Sequence, residues 1–263
     1  MRYARIRPLG SKREPFYARL DGAAALVLDR APWLSGRDTG ESVAWIEHDL
    51  IAPVEPSKIV CVGRNYAAHA KELGNEAPSE PLLFLKPPSA VIGPNDAIVL
   101  PVQSSRVEHE AELALVISKR LRNASVAQAR AGLFGITCAG DITARDLQRI
   151  DVQFTRGKGF DTFCPVGPRI VADLDPSELP VACRVNGAVR QTGNTRDMVF
   201  GVAELIAFIS NVMTLERGDL IATGTPARTP RLRPGDLIET EIPGVARMAN
   251  PVVGPSNLSQ LMK

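Results

Sequence analysis

The chain has 263 residues with 31 Lys and Arg against 29 Asp and Glu, and its basic residues are scattered, which argues against a nucleic-acid partner. Cys61, Cys138, Cys164 and Cys183 stand far apart with no Cys-x-x-Cys pair, which argues against a disulfide framework or a zinc site and for a reducing compartment. MRYARIRPLGSKREPF lacks the apolar stretch of a leader and no later run approaches the ~18 apolar residues of a membrane span, so the expectation is a cytoplasmic protein away from membranes.

Gly and Pro number 21 each while aromatic residues are 5 %, a balance that favours short strands with defined turns and predicts an α+β, β-rich chain. YARIRPL and FYARLDGAAALVL alternate apolar and polar positions around a hairpin turn at Asp21-Gly22, so residues 1–53 read as a small N-terminal β domain. Pro53-Val54-Glu55-Pro56 stiffens the chain, and a larger domain is expected over 57–263. It opens on strand-like runs: IVCVG, AIVLP, ELALVI, GLFGITCAG, RIVA, DLIATG and DLIETEI. VAQARAGL and MVFGVAELIAFISNVM carry helical spacing, the second being long enough for about four turns. GDLI at 218–221 and again at 235–238 reads as two strand starts of similar chemistry, because nothing around them matches.

Glu110-Ala111-Glu112 opens an apolar strand, and residues two apart share a face, with Leu113, Leu115 and Ile117 on the other. Such a pair is either a solvated strand end or, if buried, needs a cation between its carboxylates. Asp141 ends the run LFGITCAGD. Three carboxylates without a His or Cys partner make an oxygen-only set, which suits Mg²⁺ or Mn²⁺ and disfavours zinc. His69 and Glu72, three apart in AAHAKEL, share a helical face and form either a surface pair or a general base with its carboxylate partner. His109 points away from Glu110 and His48 lies in the small module, so both read as structural. Lys158 stands between two glycines, where the backbone can approach a ligand, or is a solvated turn lysine. Thr223-Gly224-Thr225-Pro226 follows a strand, and its backbone N–H groups could hold a carboxylate.

These segments together resemble the fumarylacetoacetate hydrolase family. The likeness runs through CVGRNYAAHAKE (61–72), PLLFLKPPSAVIGPNDAIVLP (81–101), EHEAELALVISK (108–119), GDITARDLQ (140–148), GKGFDTFCPVGP (157–168), VNGAVRQTGNT (185–195), LERGDLIATGTP (215–226) and LRPGDLIETEIPG (232–244). It implies mixed β-sheets rolled around a central cavity, a homodimer, and a small-molecule 2-oxo acid substrate. It implies metal ligands at Glu110, Glu112 and Asp141, a water-activating dyad of His69 and Glu72 on a segment that closes over substrate, and a polarising Lys158. Gly224 and Thr225 fall where the substrate carboxylate binds, and Arg64, Tyr66, Arg145 and Gln148 at positions lining the pocket.

The activity so implied is divalent-metal-dependent hydrolysis of a C–C bond in an acylpyruvate or related 1,3-dicarbonyl 2-oxo acid. Oxaloacetate decarboxylation and isomerisation of a 2-hydroxydienedioate suit the same site, and a non-catalytic metal-stabilised scaffold is the reading from another class. The chain departs from the family pattern at Gly140, where many members have Asn, at Ser118 in place of Gly, and at Ala227-Arg228-Thr229-Pro230 in place of a glycine-rich continuation.

Overall fold

In the computed structural model, which describes residues 1–8, 10, 12–46 and 49–255, most of the alternating runs become strands of mixed sheets; His48 lies outside the described residues. The first strands are β1 (Arg2–Ile6), β2 (Phe16–Asp21), β3 (Ala24–Leu28), β4 (Asp38–Ala44) and β5 (Leu50–Ile51). Next come β6 (Ile59–Gly63), β7 (Leu82–Lys86), β8 (Val91–Ile92), β9 (Ile98–Val99) and β10 (Val107–Glu108). They are followed by β11 (Ala111–Ile117), β12 (Leu133–Gly140), β13 (Thr143–Ala144), β14 (Cys164–Val171) and β15 (Pro180–Val185). The last are β16 (Ala188–Asn194), β17 (Leu220–Ala222), β18 (Leu237–Ile242) and β19 (Ala246–Val253). Among the described residues, five short α-helices interrupt them: α1 (Ala67–Glu72), α2 (Val126–Gly132), α3 (Arg145–Asp151), α4 (Thr155–Lys158) and α5 (Val202–Val212).

The largest sheet runs in the order β4-β3-β2-β1-β14-β12-β11-β17-β6-β7, and a second runs β16-β15-β18-β19-β9. Asp21 pairs with Ala24 across a two-residue loop in which Gly22 adopts φ +57°, as a tight hairpin requires. β1 then pairs antiparallel with β14, Arg2 opposite Val171, so the N-terminal strands extend the large sheet.

β11 shows why the alternation in the sequence matters. Leu113, Leu115 and Ile117 pack in one core with Val60, Val62, Ile136 and Ile206, while Ala114 and Val116 pack in another with Ile59, Cys61, Ala139 and Val166. One strand thus divides two cores, the arrangement expected when sheets are covered on both faces.

The expected helix at 126–133 forms as α2, capped by a reciprocal pair of hydrogen bonds between Ser125 and Gln128. The one expected over 198–213 starts later, at Val202, with Gly201 as its cap. Asn65 is the reason: its Oδ1 accepts from the Phe200 N–H at 2.8 Å and its own carbonyl accepts from Val199, which holds that stretch extended. Both GDLI segments enter strands through a left-handed glycine, Gly218 at φ +86° and Gly235 at φ +91°. The four cysteines are free and buried, and no helix among the described residues is long and apolar enough to cross a membrane.

Candidate active site

Antiparallel pairing of β11 with β12 places Ala111 opposite Gly140, so Glu110, Glu112 and Asp141 arrive at one end of adjacent strands. A hydrogen bond from the Asp141 N–H to the Glu110 carbonyl, 2.9 Å, extends the ladder there. The three buried carboxylates each bring an oxygen within 4.8 Å of the others. They line a cavity of about 210 Å³ together with His69, Arg145 and Lys158.

Burying so many charges demands compensation. Lys158 Nζ donates to Glu110 Oε2 at 2.7 Å and to Asp141 Oδ2 at 2.5 Å. The buried Arg145 donates through Nε to Glu108 Oε2 at 2.9 Å, through Nη2 to Glu110 Oε1, and through Nη1 to Gln148 Oε1 at 2.7 Å. Burial opposes charge on Glu110, but Lys158, Arg145 and His69 hold its carboxyl well below the usual range. Burial also opposes charge on Lys158, yet Asp141 and Glu110 raise its pKa. Glu112 goes the other way: burial first, then the neighbouring Asp141 and Glu110, push its carboxyl well above the usual value, although Gly224 N–H donates to it at 2.8 Å.

This donor set fits a hard divalent cation. All three candidate ligands are carboxylates, two of them repel Glu112, and Asp141 Oδ1 is buried with no hydrogen-bond partner. Lys86 Nζ lies 2.8 Å from that oxygen, but it directs its hydrogen bonds to the carbonyls of Ile142, Lys158 and Phe163, at 3.1, 2.5 and 2.8 Å. Its charge faces Asp141 while its protons are committed elsewhere.

His69, 4 % exposed on α1, sits beside this cluster. Its Nε2 is 3.7 Å from Glu110 Oε1 and its Nδ1 is 3.5 Å from Glu72 Oε2. Glu72 is tied in turn to the atypical loop, accepting from the Arg228 N–H at 2.8 Å, while Thr229 in the same loop donates to Glu108 Oε2 at 2.8 Å. His109 is a separate matter. It is buried against Thr240, Nε2 to Oγ1 3.0 Å, and burial lowers its pKa to about 4. A Cβ on Gly140 would stand 2.9 Å from His109 Nε2, so the glycine there makes room for this imidazole. Ser118 donates through Oγ to the Gly132 carbonyl at 3.0 Å, fastening the end of β11 to α2.

Among the residues expected to bind substrate, Arg64, Arg145, Gln148 and Thr225 line the cavity, whereas Tyr66 and Gly224 do not. Tyr66 is 3 % exposed with an unpartnered hydroxyl, and burial, then Glu112, raise its pKa. Where the resemblance places a substrate carboxylate, the Gly224 N–H donates a hydrogen bond to Glu112 Oε2 in this structure. Gly224 adopts φ +98°, where a Cβ would meet that of Asn65 at 2.8 Å. The Thr225 hydroxyl donates to the Ala111 carbonyl at 2.9 Å and accepts from Gln191 Nε2 at 2.7 Å. Lys158 is the last residue of a helical turn and 2 % exposed, so it is not a solvated turn lysine, and it lines the cavity. The glycine before it serves packing instead: a Cβ on Gly157 would lie 3.0 Å from the Gln148 backbone.

Sequence reasoning passed over Lys86, Asn65, Glu108, Gln191 and Arg149. Only Lys86 left a signal, as the single charge closing the apolar strand LLFLK.

Comparison with known proteins agrees with this geometry. The family model described as fumarylacetoacetate (FAA) hydrolase C-terminal matches residues 58–253, and one described as Rv2993c-like, N-terminal, matches residues 1–53. The chain is similar to the uncharacterized protein MJ1656 of Methanocaldococcus jannaschii, 50 % identical over 200 residues, covering 76 % of this chain and 84 % of that one. It is similar to the mitochondrial oxaloacetate tautomerase FAHD2A of Bos taurus, 45 % identical over 220 residues, covering 79 % of this chain and 70 % of the relative. Among solved structures, 2-hydroxyhepta-2,4-diene-1,7-dioate isomerase from Mycobacterium marinum is 42 % identical with a TM-score of 0.87, covering 97 % of this chain and 99 % of that one. The β-rich fold around a carboxylate-lined cavity and these matches together show that the chain belongs to the fumarylacetoacetate hydrolase family.

Proposed function

We propose that the chain is a divalent-metal-dependent enzyme that moves a proton at the carbon beside the carbonyl of a small 2-oxo acid, by tautomerisation or isomerisation. The observation that carries this reading is the placement of His69, with Nδ1 3.5 Å from Glu72 Oε2 and Nε2 3.7 Å from Glu110 Oε1 at the edge of the carboxylate cluster. Glu110, Glu112 and Asp141 would hold Mg²⁺ or Mn²⁺, which when bound supplies Lewis-acid polarisation of a 2-oxo acid. His69 takes the proton from C3 while Glu72 stabilises the imidazolium. The Lys158 ammonium favours negative charge on the 2-oxo oxygen, and return of the proton from His69 to that oxygen completes the change from keto to enol. The names of the tautomerase and isomerase relatives support this reading.

Hydrolysis of the C–C bond of an acylpyruvate is the second reading. Glu72 favours it, because its side chain is 40 % exposed and solvent therefore reaches the outer side of the dyad. Product analysis with oxaloacetate and acetylpyruvate at saturating Mg²⁺ separates the two: interconversion of keto and enol forms with the carbon skeleton intact supports proton transfer, and release of acetate and pyruvate supports hydrolysis. Chelation should abolish either activity and Mg²⁺ or Mn²⁺ restore it; turnover that survives chelation refutes the metal dependence. Association of two copies belongs to the same proposal, and light scattering that shows only monomer at micromolar concentration overturns it.

A further inference from the structure

The loop at 227–230, where this chain departs from the family pattern, reaches the acid–base pair from its outer side. The Arg228 N–H donates to Glu72 Oε2 at 2.8 Å, the same oxygen that stands 3.5 Å from His69 Nδ1. Glu72 closes α1, a helix of six residues without a side-chain cap at its N-terminus, and so short a helix takes its stability from what it packs against. The Glu72 side chain is exposed to solvent, so packing alone does not fix the carboxylate. A partner has to hold it.

The loop takes its own position from β10, the strand just before Glu110. Arg231 bridges antiparallel to Glu108, the Leu232 N–H donates to the Val107 carbonyl at 2.9 Å, and the His109 N–H donates to the Pro230 carbonyl at 3.0 Å. These contacts fix the chain at 230–232. Between them and Arg228 stands Thr229, whose Oγ1 donates to Glu108 Oε2 at 2.8 Å. Glu108 is buried and also accepts from Arg145 Nε at 2.9 Å and from Arg106 Nε at 2.7 Å, so it is a firm anchor. Arg228 itself stands at φ +72°, a left-handed conformation that a residue with a side chain keeps where its surroundings impose it. The adjoining Thr229 hydroxyl supplies that constraint.

We infer that Thr229 is a positioning residue for the His69–Glu72 pair: by fastening the loop to Glu108 it sets the Arg228 N–H that holds the Glu72 carboxylate beside the imidazole. Its effect on rate rests on the proposed acid–base role of the pair, whereas its hold on α1 is a property of the folded chain alone. Neither Thr229 nor Arg228 lines the cavity, so substrate binding should not feel the change directly.

Thr229→Val keeps the shape of the side chain and removes the hydroxyl, while Thr229→Ser keeps the hydroxyl. Thr229 is half-buried, so both variants should fold, which circular dichroism checks. Amide hydrogen exchange of the intact protein should quicken in residues 66–75 of Thr229→Val by about 3- to 10-fold, the worth of one lost hydrogen bond, and stay at the wild-type rate in Thr229→Ser. On whichever of oxaloacetate and acetylpyruvate the Mg²⁺-saturated wild type turns over, kcat of Thr229→Val should fall about 10-fold with KM changed less than about twofold, and Thr229→Ser should recover most of the loss. In a Glu72→Ala background Thr229→Val should lower kcat by less than about twofold, because the carboxylate through which it acts is already gone. Unchanged exchange or unchanged kcat in Thr229→Val, or an equal loss of kcat with and without Glu72, overturns the assignment. If exchange responds as expected but the wild type turns over neither acid, the hold on α1 stands and the proposed reaction falls.

Discussion

His69 and Lys86 show how differently two buried basic groups serve one site. His69 is a candidate base because its ring has a carboxylate near each nitrogen and takes no part in the carboxylate cluster suited to metal. His69→Ala should lower kcat by a factor of ~10²–10⁴, the usual worth of a general base, with Mg²⁺ affinity unchanged in calorimetry. An unchanged kcat would remove His69 from that role. Lys86 is 1 % exposed, and its three carbonyl acceptors come from the segments that carry Asp141 and Lys158. Lys86→Met would leave those carbonyls and Asp141 without their donor or counter-charge. It should destabilise the fold by about 3–5 kcal/mol, as for a broken buried ion pair, measured by urea unfolding; a loss below about 1 kcal/mol would contradict this account.

At the scale of elements, the site depends on how short helices are fastened to the loops beside them. Asp146, in the first turn of α3, accepts from Ser104 Oγ at 2.6 Å, from Ser105 N at 2.7 Å and from Ser105 Oγ at 2.9 Å, and so ties the loop before β10 to the helix bearing Arg145 and Arg149. Burial works against its charge, but these hydrogen bonds hold its pKa at about 2 instead of the ordinary 3.8. A carboxyl whose pKa is depressed in the folded chain stabilises it above the unfolded value and loses that contribution as pH falls through the folded one. Asp146→Ala should therefore cost about 1 kcal/mol at pH 7, at the modest end because solvent reaches the group. The gap from the wild type should persist down to about pH 3.8 and close toward pH 2. Urea unfolding across that range checks it, and a pH-independent gap would show that the carboxylate charge is not involved.

Over the whole molecule, the N-terminal strands are joined to the rest by more than a linker. β1 is hydrogen-bonded to β14, and Trp33 is buried edge-on between Tyr17 at 5.3 Å and Phe134 at 5.9 Å. Gly218 at φ +86° lies under the indole, where a Cβ would approach Trp33 Nε1 to 2.6 Å. Trp33→Ala should cost about 3–5 kcal/mol, as for other large aromatic truncations in a core. Calorimetry should still show one cooperative transition, at lower temperature. Two resolved transitions would show that the N-terminal strands unfold on their own.

Much of this was written locally. The alternation of ELALVI placed Leu113, Leu115 and Ile117 on one face, the spacing of Glu110 and Glu112 placed both acids together, and the i, i+3 spacing of His69 and Glu72 brought their side chains within 3.5 Å. Strand and helix periods act over a few residues, so a pattern in the sequence fixes which side chains share a face. Other features depend on partners far along the chain. Lys86 bonds the Ile142 carbonyl 56 residues away, and Asn65 bonds the Thr223 carbonyl 158 residues away while cutting short a helix that local spacing extends. The sequence by itself determined the β-rich class, the shared face of Glu110 and Glu112 and the histidine–glutamate pair, because each follows from short-range periodicity. Only the tertiary structure decided that Gly224 serves Glu112, that Arg145 is engaged by Glu108 and Glu110, and that Arg64 and Arg149 are left facing the cavity, because charge compensation in a buried site is settled by which distant groups the fold brings within a few ångströms.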